Sequence, residues 1–109
     1  MQPFLSPNEK AALDKLKSDI SSKYNLLEMK LYGSKARGDH DSESDIDVLI
    51  VLDTLDWATE KDVYELCFTT GLAYDVLIAP MVYSKNEMAS NLVKATPFYL
   101  TVQKEGIAL

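Results

Sequence analysis

The run Ser44-Asp45-Ile46-Asp47-Val48-Leu49-Ile50-Val51-Leu52 sets two acids one residue apart at the opening of an apolar, β-branched segment. A run this short and this rich in valine and isoleucine is a strand rather than a helix. Side chains alternate along a strand, so Asp45 and Asp47 share one face while Ile46 and Val48 point to the other. The apolar part is also far short of the ~20 residues that span a bilayer. Whatever this chain folds into must therefore carry a strand that begins with two carboxylates on one side.

The segments on either side supply a framework for that strand. Ser6-Pro7-Asn8-Glu9 has the pattern of a helix start, with Ser6 as cap, Pro7 in the first turn and Glu9 closing a capping box. Leu13, Leu16 and Ile20 mark the apolar face of a helix to about Ser22. Leu27 to Tyr32 alternates as a strand and stops at Gly33-Ser34. Ser34 is expected to cap a short helix through Lys35-Ala36-Arg37, closed by Gly38. Residues 39–44 are polar and read as a loop.

Beyond the acidic strand, Thr54 or Asp56 can cap a helix that carries Val63, Leu66, Cys67 and Thr70 and ends at Gly71, with Trp57 packed near its start. A strand is expected through Leu72–Ala79, with Asp75 inside it and Pro80 as its stop. Ser84-Lys85-Asn86-Glu87 is a second capping box, and Thr96-Pro97 starts a last helix to about Glu105, followed by Gly106. The order predicts an α/β (α+β) domain: a small mixed β-sheet flanked by helices, with residues 1–109 as a single domain.

Two carboxylates on one face form half a site for a hard divalent cation such as Mg²⁺, which takes oxygen ligands and keeps places for phosphates and water. Asp75 is a third candidate ligand, because an acid inside an apolar strand is costly unless a charge or a metal meets it. If all three acids serve one site, the 45–52 and 74–79 strands run parallel through a helical crossover. The 27–32 strand must then run antiparallel to bring Gly33-Ser34 to the same edge. Gly33 permits a close backbone approach and Ser34 adds a hydroxyl. Lys35 and Arg37 add charge for phosphate oxygens, Arg37 with the better fork. An EF-hand starting at Asp39 fails, since its sixth and twelfth positions are Ser44 and Ile50. A phosphate loop of the G-x-x-x-x-G-K-[ST] kind does not occur. His40, the sole histidine, falls in the polar loop, where solvent exposure is the ordinary reading and assistance to proton transfer the alternative.

Composition limits the partners. The 109 residues are 47% hydrophobic, enough for one core, and carry a formal net charge of −6. That balance argues against stable nucleic-acid binding, which needs clustered Lys and Arg. The single cysteine, Cys67, excludes an internal disulfide and fits a reduced cytoplasmic setting. No basic region leads into an apolar segment at the start, so no membrane association is expected.

With G-S-K-A-R-G at residues 33–38 followed by S-D-I-D-V-L-I-V at 44–51, the chain resembles the DNA polymerase beta-type nucleotidyltransferase superfamily, in its minimal nucleotidyltransferase branch. Tyr74-Asp75-Val76 and Lys104-Glu105-Gly106-Ile107 extend the likeness. The resemblance implies that Gly33 and Ser34 contact nucleotide phosphates and that Asp45, Asp47 and Asp75 form a catalytic triad holding two Mg²⁺ ions. It implies transfer of a nucleoside monophosphate, AMP from ATP, to a hydroxyl. Many such proteins resemble antitoxins paired with a HEPN-domain toxin, whose tyrosine they modify. A domain of this size has little room to enclose an acceptor, which suggests that a partner brings it or that another subunit, in a homo- or hetero-oligomer, completes the site. The C-terminal Ile107-Ala108-Leu109 is a candidate contact for such a partner. The competing expectations are a non-catalytic antitoxin that neutralises by covering its partner, and a small-molecule (antibiotic) nucleotidyltransferase.

Overall fold

The structure, a computed structural model, describes residues 4–39 and 44–109. Residues 40–43 of the polar loop, and with them the reading placed on His40, lie outside the described residues. The element order is α1 (Pro7–Lys23), β1 (Leu26–Tyr32), α2 (Ser34–Arg37), β2 (Ile46–Leu52), α3 (Trp57–Tyr74), β3 (Ile78–Ser84), α4 (Lys85–Ala89), α5 (Asn91–Lys94), α6 (Pro97–Glu105) and β4 (Ile107–Ala108).

The four strands form one mixed sheet in the order β3-β2-β1-β4. β1 runs antiparallel to β2, with Tyr32 opposite Asp47, and β3 runs parallel to β2, with Ile46 opposite Ile78. Both directions agree with the expectation from placing the acids and the Gly-Ser turn at one edge. Ile46, Val48, Ile50 and Leu52 face a core filled by Leu13, Leu16 and Ile20 of α1 and by Val63 and Cys67 of α3. Leu49 and Val51 face the other way, onto Val102 and Phe98 of α6 and Met88 of α4. Asp47, of the same parity as Leu49 and Val51, therefore opens on the α6 side of the sheet.

Local capping follows the sequence closely. Ser6 and Glu9 form the expected capping box at α1, Asp56 rather than Thr54 caps α3, and Ser84 with Glu87 caps α4. Four expectations are corrected. Gly71 does not end α3: the helix runs on to Tyr74, and Gly71 is where a Cβ would overlap the Val76 carbonyl oxygen. The third strand consequently starts at Ile78 rather than Leu72, and Pro80 lies inside it, paired with Val48. Proline is tolerated there because β3 is an edge strand, where a missing N–H costs no ladder bond. Trp57 is 77% exposed, its ring facing the Lys61 ammonium at 5.5 Å, so it does not pack at the helix start. Ile107 and Ala108, where no strand is expected, form β4 against Leu31 and Lys30. Among the described residues no helix is long and apolar enough to cross a membrane.

One buried ion pair ties α1 to α2. Lys35 Nζ lies 2.6 Å from Glu9 Oε2, with side-chain exposures of 3% and 12%. Burial alone would raise the Glu9 pKa, but the bonds from Lys35 and from Ser6 outweigh it and hold the carboxyl below the ordinary glutamate value. A depressed folded-state pKa contributes stability that is present above the unfolded value and lost as pH falls through the folded one. Removing the cation leaves a buried carboxylate uncompensated, so Lys35→Met is expected to cost roughly 3 kcal/mol in urea unfolding at neutral pH. Glu9→Gln should flatten the acid limb of stability below about pH 4, and an unchanged acid limb would show that Glu9 does not titrate in the fold.

Candidate active site

The site begins with the backbone at the end of β1. Gly33 has φ +77° and ψ −156°, a conformation that side chains rarely tolerate, and a Cβ placed on it would overlap Asp47 Oδ2. Glycine is thus required twice over, by the turn and by the carboxylate lying against it. This contact joins the two halves of the motif, since ten residues of sequence separate Ser34 from Asp45 while Gly33 touches Asp47. Gly33, rather than Ser34, is the N-cap of α2, and its carbonyl accepts the N–H groups of Ala36 and Arg37, both at 3.1 Å. Ser34 is the first helical residue and makes no side-chain cap. Gly38 closes α2 in the left-handed conformation, as expected.

Asp45 is exposed just ahead of β2, and Asp47 is half-buried two residues on. Burial raises the Asp47 pKa, the Asp45 charge raises it further, Arg37 opposes both, and Glu105 adds to the rise. Asp47, whose ionisation burial and the neighbouring Asp45 charge disfavour, lies beside the backbone turn, where a divalent cation would favour its charged form. The residues present fit Mg²⁺ held by two carboxylates, with its other positions left to substrate oxygens and water.

The remaining expected site residues fall as follows. Lys35 turns its ammonium inward to Glu9, so its side chain is directed away from the acids and only its backbone N–H stays with the turn. Arg37 is half-exposed and pairs through Nε with Asp39 at 2.9 Å and through Nη1 with Glu105 at 3.0 Å. Asp75 is not inside a strand. It caps α3 in the left-handed conformation, φ 55° and ψ 48°, and is exposed. It remains at the same sheet edge as the acids, because the Leu77 carbonyl, two residues on, accepts the Ile46 N–H at 2.8 Å. Among the described residues no three acidic, histidine or cysteine side chains are grouped closely enough to hold a metal.

Two further residues beside these were given no role from the sequence, although Glu105 falls in a stretch that extends the family likeness. Tyr32, opposite Asp47 in the ladder, has its pKa pushed up to about 12 by burial and by the Asp47 charge, and packs edge-on against Phe98 with ring centroids 5.4 Å apart. Glu105, at the end of α6, accepts the Gly33 N–H at 3.1 Å. The strand alternation places Tyr32 on the Asp47 face, but nothing local in the sequence brings α6 to the turn.

Comparison with known proteins places these features in a family. The nucleotidyltransferase domain model matches residues 13–99. The chain is 41% identical over 76 residues to a Methanocaldococcus jannaschii protein named "Putative protein adenylyltransferase", covering 67% of this chain and 77% of that one. A second M. jannaschii protein of the same name is 36% identical over 105 residues, covering 94% of this chain and 98% of that one. A chain of a toxin–antitoxin crystal structure with AMP-PNP superimposes with a TM-score of 0.59 and 24% identity, over 91% of this chain and 70% of that one. The mixed four-stranded sheet with its flanking helices is the fold of minimal nucleotidyltransferases.

The contact between Gly33 and Asp47 is open to a double-mutant cycle. Gly33→Ala is expected to lower unfolding free energy by about 2 kcal/mol, from the positive φ and the overlap together. In an Asp47→Ala background the overlap is gone, so the cost should shrink towards the backbone share alone. Equal costs in both backgrounds would contradict the contact.

Proposed function

This chain belongs to the nucleotidyltransferase domain family, and from that premise we propose that it transfers AMP from ATP, with Mg²⁺, to a tyrosine hydroxyl of a HEPN-type toxin and so acts as its antitoxin. The observation that carries this reading is the Asp47 carboxylate lying against Gly33, which sets a cation half-site beside a turn suited to phosphate. The names of the M. jannaschii relatives support protein adenylylation. The toxin–antitoxin likeness with AMP-PNP supports the partner and the adenine nucleotide donor.

In this reading Gly33 and the Ser34 hydroxyl receive phosphate oxygens, with the backbone N–H of Lys35 beside them. Asp45, just ahead of β2, and Asp47, within it, present the carboxylate oxygens. Bound there, two divalent cations would acidify the acceptor hydroxyl and neutralise the departing pyrophosphate. Asp75, at the cap of α3, takes the acceptor proton. The hydroxyl oxygen bonds to the α-phosphorus as the bond to the pyrophosphate oxygen breaks. Most of the rate then comes from positioning and from charge stabilisation. The partner brings the acceptor, and a reduced cytoplasm suits the buried Cys67 thiol, whose pKa burial pushes up to about 12.

Incubation with α-labelled ATP, Mg²⁺ and the partner toxin tests the reading. Label should pass to toxin tyrosine in the native chain, vanish in Asp45→Asn and Asp47→Asn, and fall by about 10-fold or more in Asp75→Asn. Toxin neutralisation that survives loss of labelling in the first two variants would instead identify a binding antitoxin that works by covering its partner.

A further inference from the structure

The Gly33 turn is held from outside its own segment. Glycine populates positive and negative φ about equally, so the φ of +77° needs an external selector. α2 is only four residues long and cannot fix its own entry. The selector is Glu105. Its Oε1 accepts the Gly33 N–H at 3.1 Å and Arg37 Nη1 at 3.0 Å, and its Oε2 accepts the same Nη1 at 3.2 Å. The Glu105 side chain is 17% exposed against 46% for Arg37, so the carboxylate lies beneath the guanidinium rather than in solvent.

We propose that Glu105 is a positioning residue for the donor nucleotide, acting through Gly33 and Arg37 without touching the nucleotide itself. The inference rests on the phosphate reading of the Gly33-Ser34 turn. A carboxylate facing phosphates directly would repel them. Here its charge is spent on Arg37, whose guanidinium is thereby kept at the turn with Asp39 on its Nε edge. The position of Glu105 is in turn fixed by what flanks it. Val102, one turn back on α6, is 1% exposed beneath Leu49 and Val51. Gly106 follows at once, where a Cβ would overlap the Val102 carbonyl oxygen, and it leads into β4, paired with Lys30 and Leu31. Packing of α6 and pairing of β4 thus decide where one carboxylate meets the end of β1.

Calorimetric binding of AMP-PNP in magnesium buffer tests this, with turnover and the amide spectrum read beside it. Glu105→Gln keeps an oxygen for the Gly33 N–H and loses the ion pair, while Glu105→Ala loses both. Affinity is expected to fall about threefold in the first and about 10-fold or more in the second, with KM for the triphosphate rising in step and kcat within about threefold of native. In the absence of nucleotide, the Gly33 and Ser34 amide signals should move while those of the sheet interior stay. Unchanged affinity in both variants overturns the proposal, and so does tighter binding, which would make Glu105 a competitor of phosphate. A general spectral change with kcat and KM failing together makes it a structural brace only. If Glu105→Ala does not fold, Glu105→Gln decides alone. Native protein that binds no AMP-PNP overturns the phosphate reading itself, whereas native binding with unaffected variants overturns the role of Glu105 alone.

Discussion

The absence of a side chain at Gly33 is the constraint on which the site depends. It lets the end of β1 turn sharply and lets the Asp47 carboxylate lie against the backbone. Antiparallel pairing of β1 with β2 sets Tyr32 opposite Asp47 and so delivers the turn to the acids. The parallel β2–β3 pair, closed by α3, brings the stretch after Asp75 to the same edge. Charge follows from this geometry. Burial and the neighbouring Asp45 charge both raise the Asp47 pKa, so a divalent cation there would favour the charged carboxylate.

Much of this was legible along the chain. The period of two in the acidic strand fixed which residues share a face, and the capping boxes at Ser6 and Ser84 placed two helix starts correctly. Strand directions followed from requiring one edge for the acids and the turn. What failed did so where local signals compete with tertiary packing. Gly71 looks like a helix end, yet its missing Cβ makes room for the Val76 carbonyl while the helix continues. Asp75 tolerates the left-handed cap, and Pro80 tolerates an edge strand. The C-terminal Ile107-Ala108 gave too short an apolar run to show as a strand, and it pairs only because β1 leaves an edge open.

Lys35 shows how a motif residue can be recruited by the fold. In sequence it is a cation beside a phosphate turn, but in the structure it neutralises Glu9, which also closes the α1 capping box. The same four-residue helix is gripped from one side by α1 and from the other by α6, through Glu105. A turn that would otherwise sample many conformations is thus set by two distant helices. The conformational entropy of ordering it is met in folding, so a nucleotide of the proposed kind would not have to meet it on binding.

The central claim is that the turn and the acids make a single cation and phosphate site. Titration of ¹⁵N-labelled protein with Mn²⁺ as a paramagnetic stand-in for Mg²⁺ tests it most directly, because broadening reports distance to the bound ion. The amide signals of Gly33 and Ser34 should broaden first and together with those of Asp45 and Asp47. Broadening centred on the acidic residues of α3, or on the acids without the turn, would contradict it.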